Sequence, residues 1–244
     1  MDLYPRTQRI RGQSLTLATT PLAVPLFKSR YCDAVSTTAW RYRLNENVQA
    51  VFLYDTSEET YTDYTSQATD GSVNTSVVLN SMADDDILYI CLAKAYGGVW
   101  KPSQAEALTY TGVYFDVGNA NGSNATMAVT YYSGSWANTT PTDGTAADGK
   151  TVAVDGAVTW AAKTDWVAVA VNGVTGYWIK MVPSGALDST TSILSIAPCV
   201  NAADTDDGAL AYIAANQVER FENMRPVLEA KAGGAATLLV NCRE

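Results

Sequence analysis

Apolar and polar residues alternate with a period of two through much of the chain, which is the pattern of β-strands that bury one face. Gly112–Val117 places Val113, Phe115 and Val117 on one face, and Thr126–Tyr132 repeats the pattern. Clusters of Asn, Asp, Gly and Ser separate such segments at intervals of roughly 8–12 residues, the spacing of turns in an all-β domain. The pattern therefore predicts an antiparallel β architecture.

Other segments of the central region also favour strands. They are Val48–Tyr54, Val73–Leu79, Ile87–Ala93, Thr151–Val154, Ala157–Trp160, Trp166–Val171, Tyr177–Val182 and Ile193–Ala197. Asp155-Gly156 is expected to close a hairpin between the two segments that flank it. Because no helix alternates with these strands, a β-sandwich or jelly roll is favoured over a parallel α/β sheet.

Two further elements are predicted near the C-terminus. Helix-like spacing of apolar residues favours a short helix over Ala209–Met224, which Pro226 would end. The residues that carry this spacing are Leu210, Ile213, Val218 and Phe221. Ala235–Cys242 is expected to form a final strand. The predicted fold class is all-β: a β-sandwich or jelly-roll-like domain with an extended N-terminal arm and a short C-terminal helix plus strand.

The first 45 residues are less regular. Pro5, Pro21 and Pro25 interrupt them, and proline cannot occupy a helix interior because it lacks an amide donor and clashes with the preceding turn. We therefore expect residues 1–45 to form an extended basic arm. Residues 46–244 are expected to form the β-sandwich body with its C-terminal segment.

Charge is divided unevenly between these parts. Residues 1–43 contain seven basic and two acidic side chains, a formal charge of +5, whereas the remainder contains nine basic and 23 acidic side chains, a charge of −14. This asymmetry indicates an arm that contacts an acidic partner or, equally, an arm that packs on its own acidic body. Nucleic acid is not expected as a partner, because the acidic body repels phosphate.

An arm that binds a partner would use two kinds of side chain. Its basic residues would contact acidic groups, and its apolar residues would fill grooves. The predicted partner-binding residues are Arg6, Arg9, Arg11, Leu15, Leu17, Leu22, Val24, Phe27, Lys28 and Arg30, with Leu26 beside them. Ordering such a segment costs roughly 1–2 kcal/mol per residue, so the arm is expected to be loosely packed until it docks.

The central stretch carries a more specific series of motifs. In chain order they are Gly112-Val-Tyr-Phe-Asp-Val-Gly118, Val129-Thr-Tyr-Tyr-Ser-Gly-Ser-Trp136, Thr142-Asp-Gly-Thr145, Gly156-Ala-Val-Thr-Trp160, Asp165-Trp166 and Val171-Asn-Gly-Val-Thr-Gly-Tyr-Trp-Ile-Lys180. This stretch resembles a β-sandwich module that recurs in structural proteins of tailed phages and some archaeal viruses. The sequence departs from the module's usual pattern at Tyr131–Trp136.

The resemblance implies a non-enzymatic virion structural protein. The expected role is that of a capsid decoration or cement protein, which stabilises the head by binding the major capsid protein or other virion proteins. The resemblance also implies a homo-oligomer, such as a trimer, that is made in the host cytoplasm and located in the virion. A neck, tail or baseplate component would use the same module, and a carbohydrate-binding β-sandwich is the alternative from another class.

Catalytic and cofactor chemistry has little support in the sequence. The chain contains no histidine, which removes Ser-His-Asp mechanisms and the commonest zinc sites, and it has no phosphate-binding loop or dinucleotide motif. Calcium could bind Asp84–Asp86 or Asp204–Asp207, but a solvated acidic turn is favoured at both. No catalytic residue, cofactor or metal is therefore predicted.

No stretch approaches the ~20 apolar residues of a membrane span. The four cysteines are expected to be buried thiols.

The aromatic residues admit two interpretations. Trp160, Trp166 and Trp178 are expected to lie on different strands and to form one sandwich core, since large aromatic side chains are mostly buried. Asn172-Gly173 and Thr175-Gly176 are expected to supply the positive φ angles of tight turns. The alternative is a platform of exposed Trp and Tyr rings that stack on sugars, which the 14 tyrosines and six tryptophans keep open.

Overall fold

The computed structural model describes residues 10–17, 22–25, 31–45, 47–70, 74–80, 82–94, 110–199, 211–222 and 227–243. These residues form strands and one short helix: β1 (Ile10–Leu17), β2 (Leu22–Pro25), β3 (Tyr31–Ser36), β4 (Trp40–Asn45), β5 (Ala50–Asp55), β6 (Thr60–Asp63), α1 (Thr65–Thr69), β7 (Val77–Val78), β8 (Ile87–Lys94), β9 (Gly112–Asn119), β10 (Met127–Tyr132), β11 (Trp136–Asn138), β12 (Thr142–Asp143), β13 (Gly156–Thr159), β14 (Val169–Val171), β15 (Val174–Pro183), β16 (Ser192–Cys199), β17 (Ala211–Ile213), β18 (Glu219–Glu222), β19 (Val227–Ala232) and β20 (Ala236–Arg243). The predicted all-β class is confirmed.

The described residues between positions 50 and 199 form a central sandwich of two antiparallel sheets. The large sheet has the strand order β11-β10-β15-β8-β5-β6, and β14 pairs with β15 at one side of this path. The small sheet has the order β12-β13-β9-β16-β7. Neighbours in both sheets are mostly distant in the chain, so the sandwich depends on long-range pairing rather than on hairpins alone.

The sandwich core is built from the alternating residues of both sheets. Val113 and Phe115 of β9 meet Val129 of β10 and Ile179 of β15 in one buried cluster. The connection after β13 adds two tryptophans to the same cluster: Trp160 and Trp166 are buried, and their ring centroids lie 6.4 Å apart in an edge-to-face arrangement. Aromatic pairs at this spacing contribute beyond the area they bury.

Strands from the two ends of the described chain form a second, terminal unit. Its sheets have the orders β1-β20-β3-β18 and β17-β4-β19-β2. β1 pairs with β20 along its whole length, from Ile10 opposite Arg243 to Leu17 opposite Ala236. Leu17, Trp40 and Leu238 belong to the buried cluster between these sheets. The central sandwich is therefore inserted between the two halves of the terminal unit, and β16 lies against β2 and β19.

The prediction of an extended arm requires correction for the residues that the structure describes. β1, β2, β3 and β4 are hydrogen-bonded to C-terminal strands rather than lying apart from the body. Pairing satisfies their backbone groups, and the buried cluster supplies the apolar contact that an isolated segment lacks. The proline-punctuated pattern did not reveal this, because the partner strands are some 200 positions away in the chain, as Ile10 opposite Arg243 shows.

The predicted helix over Ala209–Met224 is wrong. In its place, β17 pairs with β4 and β18 pairs with β3. Asn216 lies between these strands with φ of 61°, a left-handed conformation that interrupts a right-handed helix. Its amide donates to the carbonyl of Ser36 at 2.8 Å. The helix-like spacing of four apolar residues therefore arises from two strands separated by a turn.

Two local predictions in the central sandwich also need correction. Thr151–Val154 is a turn rather than a strand, and β13 pairs instead with β9 and β12. Asn172 and Gly173 have the predicted positive φ angles, 45° and 76°, between β14 and β15. Gly176, by contrast, lies inside β15 opposite Lys94 and forms no turn.

Substituting Gly156 is expected to destabilise the sandwich strongly. A Cβ atom at Gly156 would lie 2.1 Å from the carbonyl oxygen of Gly144, so the backbone of the Asp143–Thr145 turn would have to move. We expect Gly156→Ala to lower the free energy of unfolding by about 1–3 kcal/mol or more, measured by urea denaturation. Gly185→Ala is the matched control, because its nearest neighbour, the carbonyl oxygen of Asn124, lies at an ordinary 3.4 Å. Equal effects of the two changes would contradict this explanation.

Candidate binding surface on the large sheet

The outer side of the large sheet, turned away from the sandwich core, carries a continuous layer of aromatic rings. Alternation along each strand produces it: Val51, Ile90 and Ile179 point into the core, so their neighbours point outward. We call this layer the outer aromatic face, and it comprises Phe52, Tyr54, Tyr61, Tyr89, Tyr132, Trp136 and Trp178. Both sides of this sheet are therefore apolar, which explains the unbroken apolar run of β8.

Ring contacts connect this face across the sheet. Tyr54 and Tyr61 occupy opposed positions of β5 and β6, and their centroids are 4.7 Å apart. Tyr61 contacts Tyr89 of β8 at 6.3 Å, Tyr89 contacts Trp136 at 5.8 Å, and Trp136 contacts Tyr132 at 5.5 Å. β10 and β15 separate β11 from β8 in the sheet. The Trp136 ring must therefore reach across the outer side of these two strands.

The face has a buried floor and a partly exposed upper layer. Trp178 is completely buried, stacked on Phe52 at 5.4 Å and edge-on to Tyr89 at 6.3 Å. Its indole N–H donates to the carbonyl of Val174 at 3.3 Å. Tyr61, in contrast, is 40% exposed. Tyr54, Tyr132 and Trp136 are half-buried, so four rings present part of their surface to solvent above a rigid base.

The phenols of Tyr61 and Tyr89 remain protonated across the physiological range. Burial, with smaller contributions from Tyr61 and Tyr54, raises the pKa of Tyr89 to about 12. Burial also raises the pKa of Tyr61, with Tyr54 adding to the effect. Each neutral hydroxyl can donate as well as accept a hydrogen bond. The face therefore combines ring surfaces with neutral polar groups.

One row of positions adds polar side chains to the aromatic ones. The cross-strand register runs from Asp63 through Phe52 and Tyr89 to Lys180, and then to Thr130 and Asn138. The carboxylate of Asp63 accepts the amide of Thr65 at 2.8 Å. The side-chain oxygen of Asn138 accepts the amide of Thr140 at 2.8 Å. These bonds orient the two end groups while leaving further hydrogen-bonding capacity on each.

The Asp143-Gly-Thr145 motif has a structural role in a turn. One carboxylate oxygen of Asp143 accepts the amide of Thr145 at 2.9 Å and its hydroxyl at 2.6 Å, and the other accepts the hydroxyl of Thr151 at 2.6 Å. The hydroxyl of Thr145 in turn accepts the amide of Val152 at 2.9 Å. The motif thus holds the connection between β12 and β13 in place.

Asp188 holds together the loops around Gly122 and Thr190 through similar hydrogen bonds. It accepts the amide of Thr190 at 2.8 Å, the amide of Gly122, and the hydroxyls of Thr190 at 2.9 Å and Thr191 at 3.2 Å. The amide bonds from Thr190 and then Gly122 are the main reason why the pKa of Asp188 falls to about 2. The carboxylate therefore stabilises this loop in its ionised form.

We expect this carboxylate to make stability depend on pH. Its folded-state pKa lies below the unfolded value of about 3.9, so its contribution is complete above the unfolded pKa and disappears as the pH falls towards 2. Asp188→Asn should be less stable than the native chain at pH 7, and the difference should shrink between about pH 4 and pH 2. Urea denaturation at several pH values measures this. A difference that stayed constant down to pH 2 would mean that the loop does not depend on the charge.

The residues predicted to bind a partner through the arm are only partly described. Leu17 is fully buried within the terminal unit, and Leu15 is half-buried against the same cluster. Leu17 is thus unavailable for a partner's groove while the unit is folded. Arg11, Leu22 and Val24 occupy positions in β1 and β2, but their side chains are not described. The remaining predicted residues lie outside the described part: Arg6, Arg9, Leu26, Phe27, Lys28 and Arg30.

The acidic segments considered for calcium differ in their placement. Asp86 is buried and accepts the amides of Thr56 and Ala83, each at 2.9 Å, so it closes a turn. Asp204–Asp207 lies outside the described residues. Within the described ranges, no group of three or more acidic or cysteine side chains is arranged to hold a metal ion.

The sequence did not identify the outer aromatic face. The segment after Asp55 is polar, and β6 is exposed along its whole length, so its pattern does not distinguish Tyr61 as the most exposed ring of the face. The sequence feature that could have indicated this face is the continuous apolar run of β8. A strand that is apolar on both sides needs apolar contacts on both sides of its sheet.

No family model matches the chain, and no curated protein matches it. Among the described residues, no helix is long and apolar enough to cross a membrane.

Proposed function

We propose that this chain is a non-enzymatic structural protein of a tailed-phage virion, which binds the major capsid protein and stabilises the head. The observation that carries the proposal is the role of the motif residues within the central sandwich. Trp160 and Trp166 fill its core, Asp143 closes a turn, and Asn172 with Gly173 forms a hairpin. Motif residues that serve packing and turns specify a rigid module. A protein that is present in many copies in an assembly requires such a rigid module, because every copy must make the same contacts.

The proposed contact with the coat is electrostatic. Residues 1–43 carry a formal charge of +5, and the remainder carries −14. Arg6, Arg9 and Arg11 lie at or before the start of β1 and would meet acidic groups on the coat, with Lys28 and Arg30 in the connection before β3. Since the apolar residue Leu17 is committed to the terminal unit, the proposal assigns docking to the basic side chains and not to the buried leucine.

A binding experiment with particles tests the proposal. Purified heads that lack this protein are mixed with the full chain, separated by sedimentation and heated to measure release of DNA. The native chain should co-sediment and raise the temperature of release, more weakly at high salt because exposed charge pairs are screened. A variant with Arg6, Arg9 and Arg11 changed to Ser should bind at least tenfold more weakly. Lys150→Ser with Lys163→Ser, in the central sandwich, is the control.

The other outcomes separate the alternatives. Binding to isolated necks or tails, but not to heads, would favour the neck, tail or baseplate role. Equal binding by the arginine and lysine variants would contradict docking through the basic segment. Turnover of a glycan or peptide by the purified chain, lost on substitution of one carboxylate, would overturn the non-enzymatic assignment.

A further inference from the structure

We propose that the outer aromatic face binds a neutral glycan chain, with Tyr61, Tyr54, Tyr132 and Trp136 as the stacking residues. The inference rests on the geometry of this face and does not depend on the proposed virion role.

The rings supply the surface that a sugar requires. A pyranose presents weakly positive C–H groups on its faces, and the face of an aromatic ring is negative, so the two attract each other when stacked. Among the partly exposed rings, the centroids of Tyr54 and Tyr61 are 4.7 Å apart and those of Tyr132 and Trp136 are 5.5 Å apart. Sugar units in a glycan chain repeat on the same length scale. A short oligosaccharide can therefore cover several rings at once.

The floor under these rings makes the surface rigid before any ligand arrives. Trp178 is completely buried and Phe52 nearly so; Trp178 lies edge-on to Tyr89, and Phe52 lies edge-on to Tyr61. Two-torsion aromatic side chains held in this way lose little conformational entropy on binding. A preformed stacking surface therefore suits a sugar, whose faces carry C–H groups although its edges carry hydroxyl groups.

Polar groups in the same row match the hydroxyls of a sugar. Lys180 occupies the position between Tyr89 and Thr130, and Asn138 and Asp63 lie at the two ends. An ammonium group donates, a carboxylate accepts, and an amide or hydroxyl does both. Such a mixed set is suited to hydroxyl groups, which also donate and accept.

The charge of the body selects a neutral chain. Residues 44–244 carry a formal charge of −14, which repels acidic polysaccharides at low and moderate ionic strength. Lys180 is the one basic position in the polar row defined above, and Asp63 stands in the same row. We therefore exclude a polyanion as the preferred ligand.

The exposed area argues against a protein partner on this face. A stable protein interface buries about 800 Å² on each side. Of the large apolar side chains that are exposed in the described part of the chain, Tyr61 alone belongs to this face. The remaining rings are half-buried or buried. A narrow ligand of single-chain width fits this surface better than a second protein.

Calorimetry and tryptophan fluorescence with the full chain test the proposal. Maltohexaose, cellohexaose, mannohexaose and N-acetylchitohexaose serve as neutral probes, and a hexamer of mannuronate is the acidic comparison. We expect saturable binding of at least one neutral hexaose, at least tenfold tighter than the acidic one. Tyr61→Ala should weaken that binding about tenfold, since a lost stacking contact of roughly 1.4 kcal/mol corresponds to this factor. Tyr61→Phe, which keeps the ring, should retain most of it.

Controls distinguish loss of the site from loss of the fold. Tyr61 is exposed, so both Tyr61 variants are expected to have nearly the same melting temperature as the native chain. Leu239→Ala removes an equally exposed side chain from the terminal unit and should leave binding unchanged. Absence of saturable binding to all four neutral probes by a folded chain overturns the proposal. A change from dimer to monomer on Tyr61→Ala, without glycan binding, overturns it in favour of contact between copies.

Discussion

Replacing Trp178 with alanine is expected to lower the free energy of unfolding by about 3–5 kcal/mol. The ring is completely buried, stacks on Phe52, contacts Tyr89 edge-on and donates its N–H to the carbonyl of Val174. The substitution leaves a cavity that the β-sheet beneath it cannot close. It also removes the floor that supports Tyr89, so the outer aromatic face should lose its order. Urea denaturation followed by circular dichroism measures the first effect.

A matched substitution at the surface of the same face separates burial from residue type. Tyr61→Ala removes an aromatic ring that is 40% exposed, and we expect it to cost less than about 1 kcal/mol. Iodide quenching gives an independent check, because Trp160, Trp166 and Trp178 are all inaccessible in the folded chain. If Trp178→Ala and Tyr61→Ala cost the same, or if iodide quenches all the tryptophans, the assignment of Trp178 to a buried floor is wrong.

The burial of the three tryptophans was predictable, but their division between two clusters was not. Trp160 and Trp166 belong to the sandwich core, whereas Trp178 lies on the opposite side of the large sheet. A register irregularity between Tyr177 and Trp178 accompanies this placement. Period-two alternation indicates which residues share a side of a strand. It does not indicate which side meets the core when both sides are apolar.

Local signals predicted the central sandwich better than they predicted the terminal unit. The alternation in β9 and β10 and the Asn172-Gly173 turn involve residues close together in the chain, and the structure has them as expected. The terminal unit depends on pairs such as Leu17 opposite Ala236. The local pattern of β1 does not identify β20 as its partner, and the reverse is also true. The register of a strand pair depends on which face of each strand is buried in the folded unit, and the sequence near either strand does not give this.

Deleting residues 1–30 is expected to unfold the terminal unit while the central sandwich stays folded. The deletion removes β1 and β2, which pair with β20 and β19. It also removes Leu17 from the buried cluster. Units of about 60 residues bury only about 60% of their surface and are marginally stable. Loss of two strands is therefore expected to remove more stability than the terminal unit has. A loosely packed arm, as predicted from the sequence, could be removed without unfolding the body. The pairing of β1 with β20 reverses that expectation for β3, β4, β19 and β20.

Hydrogen exchange resolves the two units in one experiment. In the deleted chain, amides of β3, β4 and β19 should lose protection, whereas those of β8, β9, β15 and β16 should keep it. Deleting residues 236–244 should have the same effect, because β20 lies between β1 and β3 in its sheet. Deleting residues 1–9 leaves every described strand in place and is the control. Full protection of β3 and β4 without residues 1–30 would show that the N-terminal strands are dispensable, and an arm free to bind a partner would then be the better description. Loss of protection in both units would show instead that the sandwich depends on the contact of β16 with β2 and β19, so that the two units fold as one.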